Sequence, residues 1–522
     1  MNIIKIITLL IFISFGLNIS AQNKYWIFFK DKQNSNFNPY NYFDKKAIDR
    51  RIKNNISLYD YTDLPVNEDY LSAISNYVDS ISVVTRWFNG VSVYATSSEL
   101  EKIKNLSFVK EIEKIESSSV VCSVKENFGN IDDMPILARQ INLLKGQYFH
   151  NNGINGKGIR IAVFDAGFPC VDVHEAFEHI RANNRIIKTW DFTKNKEYVY
   201  DYNSHGTMVL SCIAGIYDSL PMGLATEAEF LLARTEVNTE IKKEEDYWLA
   251  AMEWADKNGA DIINSSLGYT FHRYFTEQMD GKTSLVTRAA NLAAKKGMLV
   301  VNAIGNEGDT KWRIMGAPAD ADSVLSIGGI GNLDETRISF SSYGPTYTKK
   351  LKPNVCASGN AFVASKYNYG TAMGTSFASP LIAGFAACAW QTDTSLTNME
   401  LFHKIEQSAS LYPYFDYAHG YGIPQADYFT NKNLPSEIEK TFEIKINDSV
   451  LNVIINEPLV SDKNLLYYHI ADKNNVIKEY YVIQVFNKNV LQINLNDFNK
   501  NDIIRIHFDG YTWDKEINKI LN

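Results

Sequence analysis

The sequence predicts an α/β protein with a parallel-sheet domain in its middle, a small α+β module before it and an all-β module after it. Residues 137–430 alternate short apolar runs with helical patterns, which is typical of strands and helices around a parallel sheet. Residues 22–120 mix single strands with helices, and residues 436–522 contain only strand-like runs. With 522 residues, and about 150 residues per domain, the chain has room for about three to four such units.

The composition excludes several classes of protein. It has 45% hydrophobic and 21% charged residues, close to the globular average, which excludes a disordered chain, a collagen-like repeat or a coiled coil. Lys+Arg 52 against Asp+Glu 60 gives a net charge of −8, so no basic field is available for a nucleic-acid partner. Five cysteines are too few for a disulfide scaffold. We therefore expect a mildly acidic enzyme or adhesin, and a monomer.

The first residues predict export. Residues 1–5 carry one lysine, residues 6–17 are apolar, and Ile19-Ser20-Ala21 provides small residues. This is the pattern of a secretory signal peptide, cleaved after Ala21. The apolar run is shorter than the roughly 20 residues that span a bilayer. We expect a secreted protein without a membrane span in its mature form.

The predicted α+β module covers residues 22–120. Its signals are a β-rich run at 25–32, a helical stretch through 48–52, a strand–turn–strand pattern at 87–95, a helix at 99–106 and a strand at 108–115. Asn89-Gly90 marks the turn of the hairpin. The polar, serine-rich residues 117–133 are predicted to be a linker.

The central domain, residues 137–430, supplies five runs that are apolar enough for buried parallel strands. They lie at residues 158–165, 228–235, 260–267, 298–304 and 323–328, with helical patterns between them at 246–258 and 284–296. After it, six strand-like runs predict a small β-sandwich over residues 436–522. They lie at residues 442–446, 451–455, 465–470, 479–486, 490–495 and 503–508.

Three residues of the central domain combine a reactive side chain with a suitable backbone. Asp165 ends an apolar strand, where open α/β folds build their sites. His205 is predicted at the start of a helix, followed by Gly206, which permits close approach of another backbone. Ser376 precedes an apolar helix in which Pro380 suits the first turn, and free N–H groups there stabilise negative charge. Each residue alone has a structural alternative: a turn former, a buried histidine or an ordinary helix cap.

Together the three residues predict nucleophilic catalysis. A serine needs a base to take its proton, and the imidazole needs a carboxylate that fixes its tautomer. The chain order is Asp, His, Ser, with separations of 205 − 165 = 40 and 376 − 205 = 171 residues. This is the order of subtilisin and differs from the orders of chymotrypsin and of the α/β-hydrolases.

These residues resemble the subtilisin-like serine proteases, the subtilases, over residues 158–426. The motifs that carry the resemblance are IAVFDAGF, SHGTMV and GTSFASP. The resemblance implies a secreted serine endopeptidase that acts through an acyl-enzyme intermediate, with Asp165, His205 and Ser376 as the catalytic triad. It also implies that Asn306 is the oxyanion residue and that Ser266-Leu267-Gly268 is a substrate-binding strand. Phe340–Pro345 and Gly420-Tyr421-Gly422 are similar to later landmarks of the family.

The modules on either side of the central domain also resemble known domains, and one residue beside the predicted triad departs from the family. Residues 22–120 resemble subtilase propeptides, which implies a precursor with an intramolecular inhibitor and protein or peptide substrates. The C-terminal module is similar to sorting domains of Bacteroidetes type IX secretion, and an accessory sandwich explains it equally well. Ala166 departs from the family, because Thr or Ser usually follows the triad aspartate.

No cofactor is expected, and the sequence contains no calcium loop of the EF-hand type. Whether structural calcium binds stays open. Cys212 and Cys388 lie on apolar helices and are predicted to be buried free thiols.

Two further readings of the function remain. One is an α/β-hydrolase with Ser376 in a nucleophile elbow, which would need His403 or His419 as its base and would leave the motif at His205 unexplained. The other is an inactive subtilase-like adhesin that binds through its β-module.

Overall fold

The computed structural model describes residues 22–115, 125–128, 134–237, 244–271, 273–431, 438–456, 464–485 and 490–521. The predicted signal peptide and most of the predicted linker lie outside these residues. The chain forms two compact units: Met1–Phe37 with Tyr59–Glu116, and Asn38–Leu58 with Ser117–Asn522.

The smaller unit is an antiparallel sheet with two helices. Its strand order is β2-β3-β1-β4. Ile74 and Ile103 of the helices share a core with Ile27, Val91 and Val93 of the sheet. The strands are β1 Asn23–Phe29, β2 Ile81–Thr85, β3 Gly90–Ala95 and β4 Val109–Ile115, and the helices are Glu68–Ser75 and Ser97–Lys104, with a 3₁₀ turn at Tyr61–Asp63.

The hairpin of this unit differs from its prediction in one respect. The turn ends at Asn89-Gly90 as expected, but the first strand ends at Thr85, before the predicted start at residue 87. The N–H of Asn89 donates to the carbonyl of Arg86, and Asn89 has a φ of 53°. Residues 86–89 therefore close the loop instead of extending the strand.

The larger unit contains the predicted parallel sheet. It has seven strands in the order β14-β13-β12-β11-β6-β10-β7, and every neighbouring pair is parallel. The strands of this part of the chain are β5 Lys125–Phe128, β6 Arg160–Asp165, β7 Ile186–Asp191, β8 Ile216–Tyr217, β9 Leu220–Pro221, β10 Glu229–Arg234, β11 Ile262–Ser265, β12 Leu299–Ala303, β13 Val324–Ile330, β14 Val355–Ser358, β15 Asn360–Ala364 and β16 Tyr369–Met373. The α/β prediction is confirmed. The two strands without a predicted run, β7 and β14, are the edges of the sheet.

Helices cover this sheet, and two of them are buried almost throughout. Every residue of His205–Ala214 is buried, and so are the first sixteen residues of Thr375–Thr392, which run from Thr375 to Trp390. Both helices share one apolar core with the parallel strands. The helices of the larger unit before residue 438 are Pro39–Tyr42, Lys45–Lys53, Met134–Asn142, Gln147–Asn151, Glu178–Ala182, His205–Ala214, Glu244–Lys257, Leu285–Lys295, Thr375–Thr392, Asn398–Gln407 and Asp427–Thr430, with 3₁₀ turns at Glu175–Phe177 and Thr276–Gln278.

The C-terminal region is all-β, as predicted. Two antiparallel sheets, β17-β18-β21 and β20-β19-β22-β23, share a core that includes Leu451, Val453, Ile470 and Ile504. The strands are β17 Phe442–Asn447, β18 Val450–Ile455, β19 Leu465–Ala471, β20 Ile477–Gln484, β21 Val490–Asn494, β22 Ile503–Phe508 and β23 Tyr511–Glu516, with a 3₁₀ turn at Leu495–Asp497 between β21 and β22 and a short helix at Asn518–Leu521 after β23. Sequence analysis missed β23, although an Asp509-Gly510 pair with positive φ forms its hairpin turn.

The sandwich packs on the end of the parallel-sheet region. The Nδ1 atom of His469 lies 2.7 Å from the carbonyl oxygen of Phe415, and the N–H of Ile477 donates to the Tyr417 hydroxyl. Across the part of the chain that the structure describes, no helix is both long and apolar enough to cross a membrane.

Candidate active site

Asp165 lies at the carboxyl end of β6, which is in the interior of the parallel sheet. Its side chain is fully buried. One oxygen, Oδ1, accepts the backbone N–H of Ala166 at 2.8 Å. The Thr or Ser hydroxyl that is usual at this position is missing, and a main-chain donor binds the carboxylate there.

His205 is the first residue of its helix, and its ring faces Asp165. The Nδ1 atom lies 2.8 Å from Oδ1 and 3.0 Å from Oδ2 of the carboxylate. An ionised carboxylate only accepts hydrogen bonds, so Nδ1 carries the proton and the neutral ring has its lone pair on Nε2. The backbone N–H of His205 donates to Asn203 Oδ1 at 2.9 Å, which fixes the start of the helix.

Gly206 makes this pairing possible, as its place in the sequence suggested. A Cβ atom at position 206 would lie 2.3 Å from the carbonyl oxygen of Gly167 and 2.9 Å from Cβ of Asp165. Only glycine lets the His205 helix approach β6 this closely.

Ser376 is the second residue of Thr375–Thr392, where backbone N–H groups have no intrahelical acceptor. Its hydroxyl donates to the carbonyl of Ser266 at 3.2 Å. The ring of the next residue, Phe377, lies against His205 with centroids 5.7 Å apart. The structure thus brings Ser376 to the same edge of the sheet as the Asp165–His205 pair.

The sequence predicted Pro380 in the first turn of this helix. In the structure it is the sixth residue of the helix and lies beyond that turn. A proline lacks the N–H that would bond to the carbonyl four residues earlier, which is that of Ser376. The hydroxyl of Ser266 donates to this carbonyl at 2.9 Å. Ser266 and Ser376 are therefore joined by two hydrogen bonds. The Ser266 hydroxyl, from the segment after β11, replaces the helical N–H donor that Pro380 lacks.

Asn306 follows β12, and its amide is oriented by the start of the Ser376 helix. Its Oδ1 atom accepts the N–H of Thr375 at 2.9 Å and the Thr375 hydroxyl at 2.8 Å. Its Nδ2 group is buried and finds no acceptor among the described residues. A buried donor without an acceptor is rare in folded proteins and suggests a functional role.

The bend at Asn306 has supports that sequence analysis missed. Gly305 has a φ of 116°, and the hydroxyl of Ser342 accepts the N–H of Glu307 at 3.0 Å. Ser342 lies within Phe340–Pro345, one of the segments that resemble the family, and Thr375 lies within the GTSFASP motif. Neither residue was predicted from the sequence to hold Asn306.

Ser266, Leu267 and Gly268 continue from the carboxyl end of β11. The Leu267 carbonyl accepts the amide of Asn302 at 3.0 Å. A Cβ atom built at Gly268 meets nothing within 4 Å, so the strand faces open space there.

The histidines of the α/β-hydrolase alternative are engaged elsewhere. His403 is exposed and contacts Glu406 on its own helix. His419 binds Asp416 through Nδ1, while its Nε2 accepts the backbone N–H of Arg337 at 3.1 Å. A ring whose second nitrogen is bonded to the main chain cannot serve Ser376 as a base.

Comparison with known proteins identifies the family. A sequence model described as the subtilase family matches residues 156–422. The chain belongs to the subtilases. It is therefore a subtilisin-like serine endopeptidase, and a second model, the peptidase S8 propeptide domain of Bacteroidota, matches residues 24–128 of this subtilase.

Individual relatives align with more than half of this chain. A thermostable alkaline protease of Halalkalibacterium halodurans is 29% identical over 323 residues, which is 60% of this subtilase and 76% of the relative. Subtilisin NAT of Bacillus subtilis subsp. natto is 27% identical over 303 residues, covering 58% and 73% of the two chains. Subtilisin DY of Bacillus licheniformis is 29% identical over 275 residues, covering 52% and 90%.

The described residues of this subtilase include four cysteines. Cys170, Cys212, Cys356 and Cys388 are free, and burial raises the pKa of the Cys212 and Cys388 thiols well above the ordinary value. The prediction of buried free thiols at Cys212 and Cys388 is confirmed. Within the described ranges, no three His, Cys, Asp or Glu side chains cluster as metal ligands. The absence of a cofactor stays a prediction.

Proposed function

We propose that this subtilase is secreted and cleaves proteins or peptides with Ser376 as nucleophile, His205 as base and Asp165 as the group that orients the base. The contact of His205 Nδ1 with both oxygens of a buried Asp165 carries the proposal. A proton on Nδ1, donated to the carboxylate, would leave the lone pair of the neutral imidazole on Nε2, where a base needs it.

The proposed reaction uses each of these residues in turn. The Ser376 hydroxyl leaves the Ser266 carbonyl, gives its proton to Nε2 and attacks the substrate carbonyl carbon. The buried Asp165 carboxylate stabilises the imidazolium. His205 then returns the proton to the leaving amine as the peptide bond breaks, and water hydrolyses the acyl-enzyme by the same steps.

Two donors are available for the negative oxygen of the tetrahedral intermediate. They are the buried Nδ2 group of Asn306 and the N–H of Ser376 in the first helical turn. Such preorganised donors stabilise charge that develops only in the transition state. The acyl side of the substrate would pair with the backbone of residues 266–268 in an extended form.

A fluorophosphonate probe tests the proposal against its alternatives. We expect the probe to label Ser376 of the processed protein, as read by peptide mass spectrometry, and we expect peptides to be hydrolysed whether or not simple esters are hydrolysed too. A folded protein that the probe does not label would favour the inactive adhesin. Labelling with turnover of esters alone would favour an esterase.

Asn306→Ala is expected to lower kcat by about 10²–10³-fold and to change KM little. This magnitude is taken over from subtilisin, a relative, and is not calculated for this chain. The lost amide would bind an oxygen that becomes fully anionic only in the transition state, so kcat and kcat/KM fall together.

The kcat of Asn306→Ala is measured with an active-site titration, which counts active molecules, and a melting curve shows whether the variant is folded. Asn332→Ala is a matched control, because Asn332 is also a loop asparagine and donates to the Asn360 carbonyl. A folded Asn306→Ala enzyme with unchanged kcat would remove Asn306 from the oxyanion site.

The N-terminal region is proposed to inhibit the precursor and to be cut off in the linker, between Glu116 and Ala138. Strand β5 pairs antiparallel with β16, with Lys125 opposite Met373, three residues before Ser376. This short strand of the predicted linker therefore lies beside the strand that leads to the nucleophile.

N-terminal sequencing tests this cut. The mature protein is expected to begin within residues 117–138, while the Ser376→Ala precursor keeps Gln22 as its first residue. A mature, active protein that begins at Gln22 would show that the linker is not cut. A first residue before Gln22 would contradict the predicted signal peptidase cleavage after Ala21.

A further inference from the structure

Arg234 is a buried arginine at the carboxyl end of β10, beside the candidate active site. It lies directly opposite Asp165 of β6 and Asp191 of β7 in the parallel sheet. Only 3% of the residue is exposed. Arginine is rarely buried unless its charge is paired, so the partners of Arg234 show what it holds in place.

The carboxylate of Asp191 is the charge partner of Arg234. The Nη1 atom of Arg234 lies 3.0 Å from Asp191 Oδ2, and the side chain of Asp191 is fully buried. Asp191 Oδ1 accepts the backbone N–H and the hydroxyl of Thr193, at 2.9 and 2.7 Å. A buried ion pair needs such additional hydrogen bonds on its remaining lone pairs. The pair therefore fixes the guanidinium beside the edge strand β7.

The Nε group of Arg234 contacts the segment that carries Asp165. It donates to the carbonyl of Ala166 at 3.0 Å. The backbone N–H of Ala166 donates to Asp165 Oδ1 at 2.8 Å. The peptide units on both sides of Ala166 are therefore held, one by the carboxylate and one by the guanidinium. Because the methyl group of Ala166 forms no hydrogen bond, these main-chain contacts anchor the turn after Asp165.

The flat face of the Arg234 guanidinium contacts the segment that leads to His205. Its Cζ atom lies 3.4 Å from the ring centroid of Tyr202, which is the stacked geometry that arginine forms on aromatic rings. Tyr202 has a φ of 78°, a conformation that residues other than glycine rarely adopt. Such a conformation persists only where the surroundings hold it. The stacking therefore holds strained backbone just before His205.

The two segments held by Arg234 also contact each other. Tyr202 forms an antiparallel bridge with Gly167. Gly167 has a φ of 145°, and a Cβ atom there would lie 2.4 Å from a main-chain carbonyl oxygen of the opposite segment. Only glycine permits this approach. Arg234 thus binds both sides of the bridge, the side that continues from Asp165 and the side that leads to His205.

We propose that Arg234 is a positioning residue, which holds the Asp165 segment and the His205 segment at a fixed spacing. It acts through Ala166 and Tyr202 and not by contact with the reacting atoms. The Nδ1 atom of His205 lies 2.8 and 3.0 Å from the two oxygens of Asp165. A misplacement of about 1 Å in such a site can lower the rate by about 100-fold. The inference rests on the proposed function for the roles of Asp165 and His205.

Arg234→Lys tests this role. Lysine keeps the charge that Asp191 requires, but it has no planar group to stack on Tyr202. We expect kcat to fall by about 10–100-fold and KM to change little, with the active molecules counted by titration. A folded Arg234→Lys enzyme with the kcat of the wild type would overturn the proposal.

Arg160→Lys is the matched control. Arg160 is also a buried arginine, and it lies at the opposite end of the same two strands, where it pairs with Glu229. The substitution should lower the melting temperature and keep kcat per active molecule. Equal losses of kcat in Arg160→Lys and Arg234→Lys would show that Arg234 is only a structural residue.

A double variant shows whether Arg234 and Tyr202 act as one unit. Tyr202→Leu removes the ring on which the guanidinium stacks, and it is expected to lower kcat as Arg234→Lys does. Substitutions that break the same contact are not additive. The double variant Arg234→Lys/Tyr202→Leu should therefore lose no more kcat than the more damaged single variant. Losses that multiply would overturn the proposal.

Proton NMR on the full-length Ser376→Ala chain provides a measurement that does not depend on catalysis. The Nδ1 proton of His205, bonded to Asp165, is expected to give a downfield resonance, assigned by its absence from a chain that also carries Asp165→Asn. Arg234→Lys should broaden or remove this resonance, because a looser pair exchanges its proton with water faster. Arg160→Lys should keep it.

Tyr202→Leu leaves the ion pair of Arg234 intact, so its spectrum covers an Arg234→Lys chain that fails to fold. A His205 resonance that neither variant changes would overturn the proposal. Peptide hydrolysis by the wild-type protein is scored separately. A resonance that depends on Arg234 in a protein that hydrolyses no peptide would count against the proposed function alone.

Discussion

Alanine at position 376 is expected to reduce kcat for peptide hydrolysis by about 10⁶-fold, a magnitude taken over from subtilisin, a relative of this chain. The substitution removes the oxygen that would attack the substrate, which donates to the Ser266 carbonyl in this structure. The fold should persist, because the bond from Ser266 to the main-chain carbonyl of residue 376 does not need the side chain.

Hydrolysis of a casein-like substrate by purified protein, together with a melting curve, measures this effect. Ser339→Ala is a suitable control, because Ser339 is an exposed serine in the loop before Phe340. The Ser376→Ala precursor should also stay unprocessed. Hydrolysis at the wild-type rate by a folded Ser376→Ala protein would remove Ser376 as the nucleophile.

The fold was predictable because its central strands are buried on both faces. The five predicted runs correspond to β6, β10, β11, β12 and β13, whose residues are almost all buried. Strand β7 at one edge is only partly buried, with Lys188 exposed, and β14 at the other edge has four residues. Edge strands lack the continuous apolar signal, so a search for such runs misses them.

The residue types of the candidate site could be predicted from the sequence, but the hydrogen bonds that hold them in place could not. The motifs around Asp165, His205 and Ser376 indicated a nucleophile, a base and a carboxylate. The sequence could not show that Ser266 would fill the hydrogen bond that Pro380 removes. It also could not show that Thr375 would hold Asn306, because these contacts join segments 69 or more residues apart. Such pairs depend on the closed fold.

In the N-terminal region too, contacts between distant parts of the chain could not be predicted from the sequence. Its composition and order predicted one module over residues 22–120, and that range stays a prediction. Residues 38–58 nevertheless fold with the larger unit. Within that unit Arg50 and Arg51 bind the buried carboxylate of Asp256, about 200 residues away in the chain, and the order of the sequence does not reveal such a pair.

Asp165→Asn is expected to lower kcat by about 10⁴-fold while the protein stays folded. Both oxygens of Asp165 now lie within hydrogen-bond distance of Nδ1 of His205, which holds the proton there. An asparagine amide of the same shape can present its NH₂ group to Nδ1. The imidazole then carries its proton on Nε2 and cannot accept one from Ser376. The buried imidazolium also loses its counter-charge.

A second aspartate–histidine pair of this chain provides the matched control. Asp416 is also fully buried and binds Nδ1 of His419, but the Nε2 atom of His419 accepts a main-chain N–H. Asp416→Asn should therefore lower the melting temperature and keep kcat per folded molecule. Active-site titration counts the competent molecules in both variants. If Asp165→Asn and Asp416→Asn lost the same small fraction of kcat, Asp165 would be a structural residue. A loss of kcat confined to Asp165→Asn, with little change in KM, is the result expected of a group that acts through the base.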